Sequence, residues 1–320
     1  MTTFLKQIQN SVKSLGRAYN NSSMWCKILI FTTLLLLVVL VFKGLDRKKE
    51  GFAKGSQTDQ FLIKDGPKVY DDFYADIYDY LVFNSLKDDY EVGEIINKTS
   101  PSDKSKILDV GCGTGHHVAG LGAKGLNVIG IDISPSMIKK AKENFPDYQF
   151  QVGDGLNGNE FDPDTFTHVL CMYFTIYYMK DRQTFFNNVF KWLMPGGYFI
   201  AHIVDRHNFD PILPPGNPLL YVSPQRYAKK RITSTKVKFT DFSYTADFQL
   251  DEKNDKATFV EKFKDDGDGK VRKNEHTMYM PEEQVIVDEI ISSGFFMEAK
   301  IDLLQCQYEY QYLYVFVKPN

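Results

Sequence analysis

The chain reads as an α/β protein whose parallel sheet is covered by helices on both faces, and three observations predict it. Between residues 106 and 204, short apolar runs alternate with amphipathic helical stretches, the rhythm of consecutive β-α-β units. A glycine-rich turn, Ile107-Leu-Asp-Val-Gly-Cys-Gly-Thr-Gly115, leaves the first of these strands and enters a helix. After residue 206 the pattern changes to longer alternating runs joined by polar turns, which predicts an antiparallel insertion.

In chain order, residues 67–86 and 88–99 have helical spacing, and Lys106 to Val110 is a short apolar strand. The helical stretch 116–125 follows the glycine turn, and Asn127 to Ile131 is the next strand. Ser134 is a candidate N-cap with Pro135 in the first helical position, so a helix opens at 135. Residues 148–152, 167–174 and 197–204 are three further strands, and 181–193 is the helix that stops at Pro195-Gly196-Gly197. Residues 237–250, 256–263 and 270–280 make up the antiparallel insertion, bounded at about 206–279. A helix at 282–294 and strands at 297–304 and 308–318 close the chain.

The N-terminal part differs in charge. Through Lys54 nine basic residues stand against Asp46 and Glu50, a net +7, so the remainder of this 320-residue chain of formal charge -3 holds -10. Such a body disfavours nucleic acid as a partner. Ile28 to Phe42 is an uncharged run of 15 residues between Lys27 and Lys43. At 1.5 Å per residue it rises only about 22 Å against a hydrocarbon core of roughly 30 Å. With Met24, Trp25 and Cys26 added and both lysines snorkelling, a single membrane-spanning helix over 25–43 is expected. Residues 1–24 form an amphipathic basic segment, 44–65 a polar linker, and 66–320 the catalytic body, which is placed at the membrane and facing the cytosol. The cysteines, Cys26, Cys112, Cys171 and Cys306, include no C-x-x-C pair, and Asp265-Asp-Gly-Asp-Gly269 lacks the alternating ligands of a calcium loop. No metal is expected.

Glycines at 111, 113 and 115 let the backbone turn tightly enough for a ligand to approach the main chain. Asp132 ends the next strand, where a carboxylate can accept both hydroxyls of a ribose, and Asp154 follows the third strand. The third glycine comes one residue too early for a dinucleotide fingerprint. Asp109, two residues before the first glycine, suits a cationic or zwitterionic ligand better than a pyrophosphate.

Taken together, ILDVGCGTG, VIGIDISPSMI, VGDG, the strand ending LCMYF, and LMPGGYF resemble the class I S-adenosylmethionine-dependent methyltransferases over roughly residues 66 to 320. The resemblance implies a Rossmann-like, seven-stranded, mostly parallel sheet closed by an antiparallel hairpin, with S-adenosylmethionine as cofactor. It implies that Gly111, Gly113 and Gly115 line the methionine and ribose portion, with Asp109 near the amino group and Asp132 on the ribose. Met137 and Ile133 would pack on adenine, Asp154 would bind its amino group, and Leu156 would stand at its edge. Cys171 and Tyr173 would face the methyl donor.

Methyl transfer from a sulfonium requires mainly a positioned acceptor, and a base only where the acceptor arrives protonated. Tyr173, His202, His276 and Tyr177 are the candidates. Against them stand a hydrogen-bonded core role for His202, a surface strand position for His276 and simple packing for Tyr177 and Tyr178. His116 and His117 read as the start of a helix, while Tyr70, Tyr74 and Tyr78 form either a lid over the cofactor or a core stripe. The insertion resembles the substrate-covering element of small-molecule N- and O-methyltransferases, and the expected membrane anchor brings lipids into range as well. An mRNA cap guanine-N7 methyltransferase and an inactive membrane-tethered scaffold are the alternatives.

Overall fold

A computed structural model describes residues 19, 22–45, 60–212 and 228–320, with the side chains of 38–45 excepted. Two compact units separate, 1–50 and 51–320. In the first, helix α1 runs Met24–Leu45. Among the described residues no helix is long and apolar enough to cross a membrane. The single-pass span expected at 25–43, the membrane as a partner and the membrane location are therefore corrected. The physical reason is the shortfall already visible in the sequence: 15 uncharged residues between two lysines rise about 22 Å, and a bilayer core needs about 30 Å. Most of the amphipathic segment expected at 1–24 lies outside the described residues.

The second unit holds two sheets. Strands β1 (Phe61–Asp65), β2 (Lys106–Val110), β3 (Asn127–Asp132), β4 (Gln149–Val152), β5 (Phe166–Cys171) and β6 (Leu193–Val204) come first. Next are β7 (Ser234–Lys238), β8 (Phe242–Asp251), β9 (Lys256–Asp265), β10 (Val271–Tyr279), β11 (Phe296–Asp302) and β12 (Gln311–Val317). The helices are α2 (Asp72–Val82), α3 (Ser85–Thr99), α4 (His116–Gly122), α5 (Pro135–Asn144), α6 (Arg182–Trp192) and α7 (Glu283–Ser292).

The larger sheet has seven strands in the order β11-β12-β6-β5-β2-β3-β4. β12 runs antiparallel to both β6 and β11, while β6, β5, β2, β3 and β4 are parallel. Both faces are covered, so the central strands are apolar on both sides: β2 reads Lys-Ile-Leu-Asp-Val and is buried from its second residue. One core lies around Phe185, Val189 and Trp192 of α6, and another around Val92, Ile95, Val118 and Ile138 of α3, α4 and α5.

Helix starts follow the sequence. The side chains of Asp71, Asn84, Ser134 and Asp181 accept from the amides of Tyr74, Lys87, Met137 and Thr184, capping α2, α3, α5 and α6. The smaller sheet, β1-β10-β9-β8-β7, is the antiparallel insertion plus one strand that the linker reading missed. β1 lies within the expected linker 44–65 yet pairs in parallel with β10, Phe61 opposite Val271. Its five residues, Phe-Leu-Ile-Lys-Asp, are too few to show a period against polar flanks.

Ser134 caps α5 and also donates its hydroxyl to the Tyr70 carbonyl at 2.5 Å. Ser134→Ala is expected to lower stability by about 2 kcal/mol, one for the cap and one for the lost bond, measured as a shift in the urea midpoint at unchanged slope.

Candidate active site

The strand order reverses at β2, which has β3 on one side and β5 on the other. Open α/β sheets bind ligands beyond the carboxyl ends of strands at such a reversal. A cavity of about 400 Å³ lies there, lined by the ends of β2, β3 and β5 on one side and by Tyr244, Glu261 and His276 of the smaller sheet on the other.

Asp109, the penultimate residue of β2, has 1% of its surface exposed. Its Oδ1 has no hydrogen-bond partner, although Asp109 lines the cavity. Burial and the neighbouring Asp132 carboxylate push its pKa up to about 6 against the pull of His117. The turn that follows is pinned to β3: the amides of Gly111 and Cys112 both donate to the Ile131 carbonyl, at 2.8 and 2.9 Å. Gly111 has φ +75°, and a Cβ there would sit 2.6 Å from the Thr175 hydroxyl, so only glycine fits. Asp132 accepts from the Gly113 amide at 3.1 Å through Oδ2 and from the Ser134 amide at 2.8 Å through Oδ1. Burial raises its pKa, and these two amides oppose the rise.

Ile133 and Met137 line the cavity beyond Asp132, as do Asp154 and Leu156 after β4. Asp154 Oδ1 accepts from the Leu156 amide at 2.9 Å. Tyr173 lines it from the end of β5 with φ +51°, a left-handed conformation uncommon outside glycine. His276 also lines it, only 2% exposed, where a surface strand position was the competing expectation.

Four expected residues stand elsewhere. Gly115 caps α4 from beneath the cavity, where a Cβ would come within 2.7 Å of Phe150. Cys171 is fully buried in the core that also holds Val169 and Ala201, and burial pushes its thiol well above the usual range. The residues after it, Met172 and Tyr173, reach the cavity instead. His202 is fully buried on β6, its Nδ1 2.6 Å from the Tyr173 carbonyl and its ring stacked on the Tyr173 ring. Burial lowers its pKa to about 4, so it is neutral and donates to that carbonyl. It therefore holds Tyr173 from behind. Tyr177 is buried too, its hydroxyl accepting from the Val204 amide at 2.8 Å.

Sequence reading missed a charged cluster under the glycine turn. Lys87 and His117 both reach Glu91 Oε2, at 2.7 and 2.8 Å, with Glu91 fully buried. Asp88, Glu91 and His117 bring possible metal-ligating atoms within 4.8 Å of one another, but the Lys87 ammonium already neutralises the group. The one sequence signal was the i,i+4 spacing of Lys87 and Glu91, which usually marks a solvated helix face.

The strand reversal, the glycine turn held by Asp132 and the buried Asp109 carboxylate thus form one site at the carboxyl ends of the central strands. An ammonium such as that of S-adenosylmethionine would suit the unpartnered Asp109 oxygen, and Asp132, with one amide bond at each oxygen, would retain lone pairs for ribose hydroxyls. A family model described as a methyltransferase domain matches residues 107–197. The chain is 31% identical over 136 residues to a dTDP-4-amino-2,3,4,6-tetradeoxy-D-glucose N,N-dimethyltransferase of Saccharopolyspora spinosa, covering 40% of this chain and 53% of that one. It is 35% identical over 109 residues to phosphoethanolamine N-methyltransferase 1 of Zea mays, covering 32% and 21%. The chain thus spans about half the length of the first relative and about a fifth of the second. An S-adenosylmethionine-dependent methyltransferase structure from Clostridium acetobutylicum superposes with a TM-score of 0.60 at 20% identity, covering 77% of this chain and 98% of that one.

Two predictions concern protons. A cationic ligand needs Asp109 ionised, so affinity for S-adenosylmethionine is expected to fall as pH drops below about 6, approaching tenfold per unit, as read by calorimetry from pH 8 to 4.5. For the cluster, burial alone would raise the Glu91 pKa, but Lys87 and His117 hold it below its ordinary 4.5. Burial would lower that of His117, but Glu91 and Asp88 lift it above its ordinary 6.5. The Glu91 contribution is present above pH 4.5 and is lost as pH falls further. The His117 contribution is present below pH 6.5 and is lost as pH rises through the lifted value. Glu91→Gln is expected to cost about 3–5 kcal/mol, most between these two pH values and less on either side, by urea unfolding across pH.

Proposed function

We propose that the chain is an S-adenosylmethionine-dependent methyltransferase that methylates a nitrogen of a small molecule. The observation that carries this reading is one cavity that joins the unpartnered Asp109 oxygen and the Asp132-held glycine turn to a wall containing His276. Both curated relatives named above are N-methyltransferases, which favours nitrogen over oxygen as the acceptor atom.

The cofactor, when bound, supplies an activated methyl group, so the protein's task is to position the acceptor and manage its proton. In this reading Asp109 binds the ammonium and Asp132 holds the ribose hydroxyls. Ile133 and Met137 pack on adenine, and Asp154 and Leu156 meet its amino edge. Tyr173 stands beside the methyl-bearing end, fixed by His202, and His276 serves the acceptor. Among the described lysines and arginines, Lys87 lines the cavity, at the glycine-turn end. Among the described residues, a polyanionic substrate such as a capped RNA would meet no lysine or arginine in the acceptor-side lining.

Calorimetric titration of the full chain with S-adenosylmethionine is expected to give one site per chain, and Asp132→Ala to weaken it at least tenfold. A folded protein that produces no heat would overturn the reading.

A further inference from the structure

The inner face of β8, β9 and β10 is apolar apart from a polar group that runs from Arg272 through Asn274 to Glu261, His276 and Tyr244. That carboxylate is 1% exposed and lines the cavity. Its Oε1 accepts from the Tyr244 hydroxyl at 2.8 Å, and its Oε2 is bonded by His276 Nε2 at 2.9 Å and by Asn274 Nδ2 at 3.4 Å. Burial would raise its pKa, but the bonds from His276 and Tyr244 hold it below the ordinary range. Glu261 is therefore ionised and accepts at both oxygens.

That fixes the imidazole. An ionised Glu261 calls for a hydrogen on His276 Nε2, and in the neutral imidazole that places the lone pair on Nδ1. The Tyr178 hydroxyl lies 3.0 Å from Nδ1 and donates to it. A Glu-His-Tyr chain thus runs from the sheet into the cavity, ending on a phenol oxygen. Aromatic rings surround it: those of Tyr70, Tyr74, Phe259 and Tyr178 have centroids 5.8, 5.8, 5.7 and 6.0 Å from that of His276. Among the described residues no lysine or arginine forms an ion pair with Glu261. Arg272, buried on the same face, bonds Asn274 Oδ1 at 2.8 Å but is paired with Asp71 at 3.0 Å, so the acceptor end keeps a buried carboxylate and electron-rich ring faces that no lysine or arginine ion pair balances, conditions that draw a cation from solution.

We propose that Glu261, His276 and Tyr178 form a proton-accepting relay, and that the acceptor it takes is an alkylammonium on an apolar body. The inference rests on the N-methyltransferase reading. The ammonium N–H bond breaks as its proton passes to the Tyr178 oxygen, while Tyr178 passes its own hydroxyl proton to His276 Nδ1. The amine keeps the electron pair of the broken bond and becomes a nucleophile. His276 becomes an imidazolium paired with Glu261, and the proton leaves to water when the cavity next opens. A phosphate group placed at this end would face the Glu261 carboxylate, so a phosphorylated amine is disfavoured there.

The test uses the full chain without cofactor and three probes with one body: 2-phenylethylamine, 2-phenylethanol and 2-phenylethyl phosphate, titrated at pH 7.5. The amine is expected to bind at least tenfold more tightly than either of the others, and Glu261→Gln to reduce that preference to within twofold while affinity for S-adenosylmethionine is unchanged. Equal binding of the three, binding of none, or a preference retained in a folded Glu261→Gln protein overturns the proposal. Should that variant not fold, nitrogen NMR of labelled histidine in the unaltered chain decides. A neutral His276 with hydrogen on Nε2 at pH 8 is expected, and an imidazolium already present, or hydrogen on Nδ1, overturns the relay. Heat from S-adenosylmethionine without amine preference sinks this inference alone; absence of that heat sinks the functional reading beneath it.

Discussion

The carboxylate of Asp132 is the tie on which the site depends. Its two oxygens accept from Gly113 on one side and Ser134 on the other, so one side chain at the end of β3 fixes both the glycine turn and the start of α5. Ser134 in turn reaches the Tyr70 carbonyl, which carries the same registration to the segment leading into α2. Without it, three separately folded pieces of backbone would meet at the cavity with no shared reference point. The carboxylate is half-buried and lines the cavity, so its charge there is only partly screened.

The cavity separates two electrostatic environments. At the glycine-turn end, acids and bases are interleaved: Lys87 and His117 stand against Glu91 and Asp88, while Glu91 Oε1 and Asp109 Oδ1 are left without hydrogen-bond partners. At the other end a carboxylate is dressed by neutral donors and ring faces. The first arrangement suits a zwitterion and the second a monocation, so a ligand that fits one end is poorly matched to the other. Orientation of two different molecules in one chamber follows from this difference without any need for a partition between them.

Much of this was legible in sequence because it depends on local rules. The glycine turn, the Ser134-Pro135 helix start and the alternation of β2 through β6 announce themselves through spacing, and Asp109 and Asp132 follow from their places at strand ends. What escaped depends on contacts distant in sequence. Glu261 sits in Phe-Val-Glu-Lys-Phe, where a charged residue reads as one of two equivalent strand faces, and only its pairing opposite Asn274 shows that Glu261 points inward and Lys262 outward. Cys171 was expected at the methyl donor, but the pleat sets it into the core one residue before the chain enters the site. Lys87 and Glu91 look like surface residues until α4 brings His117 against them. The apolar run near the N-terminus was read too generously, since two snorkelling lysines had to make up for the missing rise.

The parallel pairing of β1 with β10 bears on where this domain can be cut. Arg272 of β10 bonds the Val69 carbonyl and Asp71, so the entering chain is stitched to the insertion on both sides of the turn that follows β1. A fragment begun at 66 would keep the seven-stranded sheet whole yet strip the outermost strand from the other sheet, leaving the backbone groups of β10 that face β1 without partners. An uncovered edge of that kind invites pairing with a second molecule. Aggregation of such a fragment would then report the missing strand rather than any weakness in the methyltransferase fold.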